Sequence, residues 1–332
     1  MKNKYIFFRT DRIGDFLLSA ILIKSVKRSD KNSFITVVAS KKNYLYIKNF
    51  SFVDEVILFP ELYFSKIIFY LRFIFKKFYL IAVLDGKKRS LYFSLLTRSK
   101  FKFLFTYKGF FKVLFKIFFT KIFYDNDSDN KISEIKNLLN FLGFNLDKSD
   151  LNTIDIPPVL ARNFNIPSTD KYTLFHLDEK WIFKDYIHTY KSIEPESEES
   201  LIKFIEQLVK KTKRDVIIST GDLPNRFTHF LKKKFFNYNN NIYLYQVFDS
   251  KVFFLEDLNF LELEKLILFS NLLITCHGAV THVAASFNIR IIDIIDKSEK
   301  VFFNKWTSHF DNHILIERNP FKVLTNKIID NC

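Results

Sequence analysis

Short apolar runs alternate with longer stretches in which apolar residues recur every three to four positions, and this alternation extends through both halves of the chain. In the first half YIFFRT (5–10), SFITVVAS (33–40), VDEVILF (53–59), FYLIAVLDG (78–86) and KFKFLFT (100–106) read as strands. Asp15–Arg28, Lys42–Phe50 and Ser90–Thr97 read as the helices between them, with Phe16, Leu17, Ala20, Ile21, Ile23 and Val26 roughly on one face of the first. Gly14–Asp15 is then the corner from the first strand into the first helix. A polar stretch, YDNDSDNKISE, leads into a further helix that Gly143 terminates.

The stretch IDIPPVLARNFNIPSTDK (154–171) breaks the pattern with three prolines and reads as a linker. The alternation then restarts. YTLFHL, DVIIST, NIYLYQVF, NLLITC and RIIDII are the expected strands; Ser197–Lys211, Arg226–Phe236, Leu261–Phe269 and Thr281–Phe287 are the expected helices. The fold class is therefore α/β, with a parallel sheet covered on both faces in each half. The expected domains are 1–157, a linker at 158–171 and 172–332. Two such Rossmann-like halves make a cleft, with ligands at the carboxyl ends of the strands.

At 332 residues, 48% of them hydrophobic, the chain has material for two cores of about 150 residues each. No run of about 18 uncharged apolar residues predicts a spanning helix. The first residues carry too many charges for a secretory signal. Cys276 and Cys332 form no metal-ligand pattern, and a reducing cytoplasm is expected. The net charge of +15 is concentrated: between Pro60 and Tyr124 there are 14 Lys or Arg against Glu61 and Asp85 alone, together with 15 of the 42 phenylalanines. Lys108, Lys112 and Lys116, spaced by Phe, Leu and Ile, describe a cationic, apolar helix suited to an anionic membrane surface, or else a plain helix with its lysines in water. No nucleic-acid-binding signature accompanies the charge, so no nucleic acid partner is expected.

Three strand-to-helix corners offer chemistry. At Arg9–Asp15, Gly14 admits a close approach and Asp15 stands at a helix start, either as a base for a hydroxyl or as a cap for free amides. At LLITCHGAVTHVAASF, Gly278 opens a small-residue helix whose amides suit a diphosphate, flanked by His277 and His282; two histidines without a third ligand make a weak zinc site. At FHLDEKW, Lys180 can neutralise a departing diphosphate, and Gly221 in STGDLP ends a strand where a nucleotide could enter. Asp125, Asp127 and Asp129 lack the glycine and glutamate of a calcium loop, Asn130 and Lys136 standing at those positions.

In order along the chain, FFRTDRIGDFLLSAILIKSVKR, FYLIAVLDGKKRSLYFSLL, VIISTGD and LELEKLILFSNLLITCHGAVTHVAASFNIRIIDII resemble the blocks of glycosyltransferase family 9, the lipopolysaccharide heptosyltransferases. The resemblance implies a GT-B architecture: an acceptor-side domain first, a nucleotide-sugar domain second and no obligatory metal or other cofactor. It implies sugar transfer with inversion onto a lipid-linked glycan, such as lipopolysaccharide core, at the inner face of the cytoplasmic membrane, where the basic segment 60–124 would hold the protein. Carried onto this chain, Asp15 is the base, with Arg9, Arg12, Gly14 and Asp85 on the acceptor side. Lys180, Gly221, His277, Gly278, Thr281 and His282 belong to the donor side. The chain departs from the family at the donor turn: aligned on His282, His277 stands where the family has its aspartate, while alignment on Gly278 requires an extra residue. A catalytically inactive membrane-surface protein on the same fold is the alternative reading. A nicotinamide dehydrogenase is remote, since Gly14 lacks the glycine partners of a dinucleotide-binding turn.

Overall fold

The computed structural model describes residues 2–106, 117–124, 130–154, 171–181, 193–221, 226–239 and 241–332. It divides into two compact units, Met1–Asp155 with Asn304–His309, and Ile156–Phe303 with Phe310–Cys332. The segment 304–309, expected with the second half, thus groups with the first. The linker residues 158–170, the helix expected around Lys108, Lys112 and Lys116, and Asp125–Asp129 lie outside the described residues.

The first unit carries β1 (Lys4–Arg9), α1 (Ile13–Ser29), β2 (Phe34–Ala39), α2 (Tyr44–Ile47), β3 (Glu55–Leu58), α3 (Tyr63–Ile74), β4 (Lys77–Val83), α4 (Lys88–Leu96), β5 (Arg98–Thr106), β6 (Lys121–Tyr124) and α5 (Lys131–Phe141). The strands form one sheet in the order β3-β2-β1-β4-β5-β6, with every pairing parallel. This is the doubly wound order, and it reverses direction between β1 and β4. Ile6, Phe8, Ile81 and Val83 pack with Phe69, Phe73 and Phe93 from the helices. Each such side chain, taken fully out of water, contributes about 1.5–3 kcal/mol. The far end of α1 is held by Asp150, fully buried, which accepts from Ser25 Oγ and Arg28 Nη2, each at 2.8 Å.

The second unit continues with β7 (Tyr172–Leu177), α6 (Glu198–Thr212), β8 (Val216–Thr220), α7 (Arg226–Lys234), β9 (Phe236–Asn239), β10 (Ile242–Val247), β11 (Ser250–Leu255), α8 (Phe260–Phe269), β12 (Ser270–Cys276), α9 (Ala279–Ser286), β13 (Arg290–Ile295), the first half of α10 (Lys300–Thr307), whose residues from Asn304 on group with the first unit, β14 (His313–Glu317) and α11 (Phe321–Asp330). Its sheet runs β14-β13-β12-β7-β8-β11-β10-β9. From β14 to β11 it is parallel and repeats the order of the first sheet, with the reversal between β7 and β12. The expectation of a wholly parallel sheet is corrected at the other edge, where β10 pairs antiparallel with both β11 and β9. The pairing takes Phe236 out of the helix expected over 226–236: α7 stops at Lys234 and Phe236 opens β9. Phe175, Trp181, Phe204 and Phe321 anchor the core of this unit.

Candidate functional site

In doubly wound sheets the carboxyl ends of the two strands flanking the reversal splay apart and leave a crevice. The first unit places one of the expected corners there and the second unit places two.

In the first unit these ends are Thr10–Arg12 after β1 and Leu84–Asp85 after β4. Asp85 is buried and its carboxylate is surrounded by donors: Thr10 Oγ1 at 2.6 Å, Ser90 Oγ at 2.7 Å and the Lys87 amide at 3.2 Å. Burial pushes its pKa above the ordinary carboxylate value despite these bonds. Arg9 is also turned inward. Its Nε donates to Ser19 Oγ at 2.7 Å and its Nη1 to Leu84 O at 2.8 Å and Asp11 Oδ2 at 2.9 Å. Asp11 further pairs with Lys87 Nζ at 2.5 Å, while Arg89 Nη2 donates to Thr10 Oγ1 at 2.8 Å. Arg9 and Asp85 therefore shape the corner from beneath, and Lys87 and Arg89 give it positive charge.

Helix α1 begins earlier than expected, at Ile13 with Arg12 as its cap residue, so Gly14 and Asp15 lie inside the first turn. Gly14 is not among the glycines with left-handed φ, which are Gly86 and Gly143. The Asp15 Oδ2 reaches back to the Arg12 amide at 3.2 Å, satisfying one of the free donors of the helix start. Asp15 is half-buried and Arg12 exposed. The capping role is thus realised at Asp15, and a carboxylate held at a helix N-terminus remains at the mouth of the corner.

In the second unit the crevice lies between Asp178–Trp181 after β7 and Cys276–Gly278 after β12. One helical turn, Glu179–Trp181, fills it. Trp181 is buried and donates from Nε1 to His176 O at 3.0 Å, which fixes the turn. The two residues before it then reach to opposite neighbours. The Glu179 carboxylate lies where a side chain on Gly221 would stand, and the Lys180 ammonium lies 2.5 Å from where a Cβ on Gly278 would stand. A methyl group at either glycine would displace the end of the Glu179 or Lys180 side chain. Lys180 Nζ pairs with Asp178 Oδ2 at 3.0 Å. Burial alone would lower its pKa, but Asp178 and other nearby acidic groups hold it above the ordinary lysine value. Arg318, from the end of β14, donates to Lys180 O and lies 3.7 Å from Cys276 Sγ.

Gly278 caps α9, and the Thr281 hydroxyl is committed to Gly278 O at 2.5 Å. His282 is largely buried against Phe310 and the His277 ring, at centroid distances of 5.4 and 5.7 Å. His277 stacks on Phe303 at 4.0 Å, and its Nδ1 donates to Asp293 Oδ2 at 2.7 Å. His313 Nε2 reaches the same oxygen at 3.0 Å. Burial would raise the pKa of Asp293, yet the charges and hydrogen bonds of His277 and His313 bring it down to about 2. Sequence reading missed Asp293, His313, Asp178, Glu179 and Arg318 as parts of this cluster. Its one visible signal was an aspartate in the middle of the otherwise apolar RIIDII strand. Among the described residues no group of three or more His, Cys, Asp or Glu is arranged to hold a metal ion.

No protein-family model matches the chain, and no curated protein matches it in sequence. Solved structures do match its fold over nearly its whole length. A glycosyl transferase of family 9 from Veillonella parvula aligns with 95% of this chain and 86% of its own, with a TM-score of 0.65 and 15% identity. The Escherichia coli heptosyltransferase WaaC with ADP aligns with 99% of this chain and 100% of its own, with a TM-score of 0.67 and 10% identity. A UDP-GlcNAc 2-epimerase from Methanocaldococcus jannaschii follows with 99% and 92% coverage, a TM-score of 0.54 and 13% identity. The fold is that of the GT-B proteins, and family 9 glycosyltransferases are among its structural neighbours.

Proposed function

We propose that this chain is a glycosyltransferase that transfers a sugar, heptose being one candidate, from a nucleotide-sugar to a lipid-linked glycan in the cytoplasm, with inversion and without a metal ion. The observation that carries the reading is the Lys180 ammonium, partly buried beside Asp178 and laid over Gly278 where α9 begins. A lysine and the free amides of a helix start, converging on one glycine, are a site for a diphosphate. Neighbours of the same fold act on nucleotide-linked sugars, and one was solved with ADP.

On this reading the acceptor hydroxyl loses its proton to Asp15 as its oxygen attacks the anomeric carbon in a single displacement. Lys180, the amides near Gly278 and the two imidazoles His277 and His282 stabilise the negative charge that builds on the departing diphosphate. Asp293 orients His277 from behind. Arg9 and Asp85 hold the β1 and β4 ends so that Arg12 and Asp15 keep their places. Thr281 closes the donor turn through its bond to Gly278 O.

Thermal melting against ADP, UDP, GDP, CMP and dTDP, each with and without magnesium, tests the donor side. A diphosphate at 100 times its dissociation constant should stabilise the folded state by about 2.7 kcal/mol, without need of magnesium. Transfer by the wild type, lost in Asp15→Asn with nucleotide binding retained, tests the acceptor side. The replacement of the family's aspartate by His277 favours the second reading, an inactive surface-binding protein. Absence of a shift with every nucleotide would select it.

A further inference from the structure

Among the described residues the largest concentration of exposed apolar side chains lies on α3, within the basic segment. Leu62, Tyr63, Phe64, Ile67, Ile68, Leu71 and Phe75 are all exposed, from 41% for Ile67 to 87% for Phe75. At about 100° per residue, those from Tyr63 to Phe75 fall within an arc of roughly 140°. Phe69 and Phe73, the buried residues of α3, lie roughly opposite the middle of that arc and pack against Phe59, Phe78 and Phe93. The helix is therefore apolar on both sides. Its inner face is used by the core, and its outer face has the composition of a core with nothing among the described residues packed on it.

The polar residues at the borders of the outer stripe are of one sign. Lys66 stands on one side, with Arg72 and Lys76 on the other; Lys77 follows at the start of β4. Lys76 and Arg72 lie over the ring of Phe73, an inner-face residue, at 4.7 and 5.7 Å, while the Arg72 side chain stays 59% exposed. The acidic residues near it are few: Glu61 pairs with Lys41 at 2.7 Å, Glu55 lies 3.9 Å from Arg72, and Asp85 is buried.

We propose that the outer face of α3 is the surface through which this protein docks on an anionic lipid bilayer, with Tyr63, Phe64, Ile67, Ile68, Leu71 and Phe75 entering the interface and Lys66, Arg72 and Lys76 meeting headgroup phosphates. A helix of 12 residues is about 18 Å long and lies in the interface plane. No helix among the described residues is long and apolar enough to cross a membrane. The charge selects lipid over a second copy of this chain, because pairing two such faces would bring two basic borders together. This docking is independent of whether the chain transfers sugar.

Flotation with phosphatidylcholine vesicles, with and without phosphatidylglycerol, tests it. The triple variant Phe64→Asn, Ile68→Asn, Leu71→Asn should weaken partitioning onto both by about tenfold or more. Arg72→Gln with Lys76→Gln should weaken binding to the anionic vesicles by about fivefold per charge and leave binding to neutral ones unchanged. This pair keeps the test valid should the triple variant fold poorly. Flotation of the wild type that neither set of changes reduces overturns the proposal. So does a wild-type dimer in equilibrium sedimentation that the triple variant dissolves while flotation is unaltered, since the face would then be a contact between copies.

Discussion

Replacing Asp293 with Asn removes the anion shared by His277 and His313 while keeping the size of the side chain. The carboxylate is fully buried on β13 and takes bonds of 2.7 and 3.0 Å from the two imidazoles. Its pKa falls from 3.8 to about 2 on folding, which at 1.36 kcal/mol per unit corresponds to a stabilisation of about 2 kcal/mol. Breaking a buried charged pair outright costs up to about 5 kcal/mol, so the loss should lie between these values. For a unit of this size that is a fall in melting temperature of roughly 5 °C or more. A depressed carboxylate contributes stability that is fully present above pH 3.8 and lost as pH falls toward 2. Urea unfolding of wild type and variant should therefore differ most near neutrality, and the gap should close below about pH 4. Equal stability at pH 7, or a gap that widens on acidification, would refute the argument.

Asp85→Asn should behave oppositely. Burial holds this carboxyl above its ordinary pKa, so the wild type gives up stability as pH rises through that range and the amide does not. Only the Lys87 amide loses its acceptor, and the net change in unfolding free energy at pH 7 should stay within about 1 kcal/mol. Gly278→Ala keeps an extended backbone that any residue adopts but pushes Lys180 aside; it should leave stability within about 1 kcal/mol while weakening nucleoside diphosphate binding about tenfold in calorimetry. Undiminished binding would separate Lys180 from the ligand.

The apolar strands on both sides of each reversal, β1, β4, β7 and β12, were legible because buried parallel strands read as unbroken apolar runs. So were the corners after them, since glycine and charge interrupt those runs abruptly. The antiparallel edge was not. β9 is wholly exposed and β11 mixes Ser and Lys with Phe, so neither has a one-face pattern. Helix α3 was hidden for a different reason: apolar residues on both its faces run directly into the equally apolar β4, and the whole stretch reads as one basic, aromatic segment. At the candidate site, Lys180 and Gly278 were each visible, but their contact spans two strands far apart in sequence. The partners of His277 were hidden similarly, because Asp293 and His313 come from the next two strands of the sheet: the parallel register sets Asp293 opposite Thr275 and Leu315, each two residues from one of the histidines.

The carboxylate shared by His277 and His313 carries a lesson for detecting relatives of this protein. The negative charge at this crevice sits on the fourth residue of β13 and touches the turn after β12 through His277. A profile scored position by position reads the turn without its anion, although the charge is present at the same crevice. A search for similar chains should couple His in the turn to Asp at that strand position and His at the start of the strand beyond, treating the three as one unit.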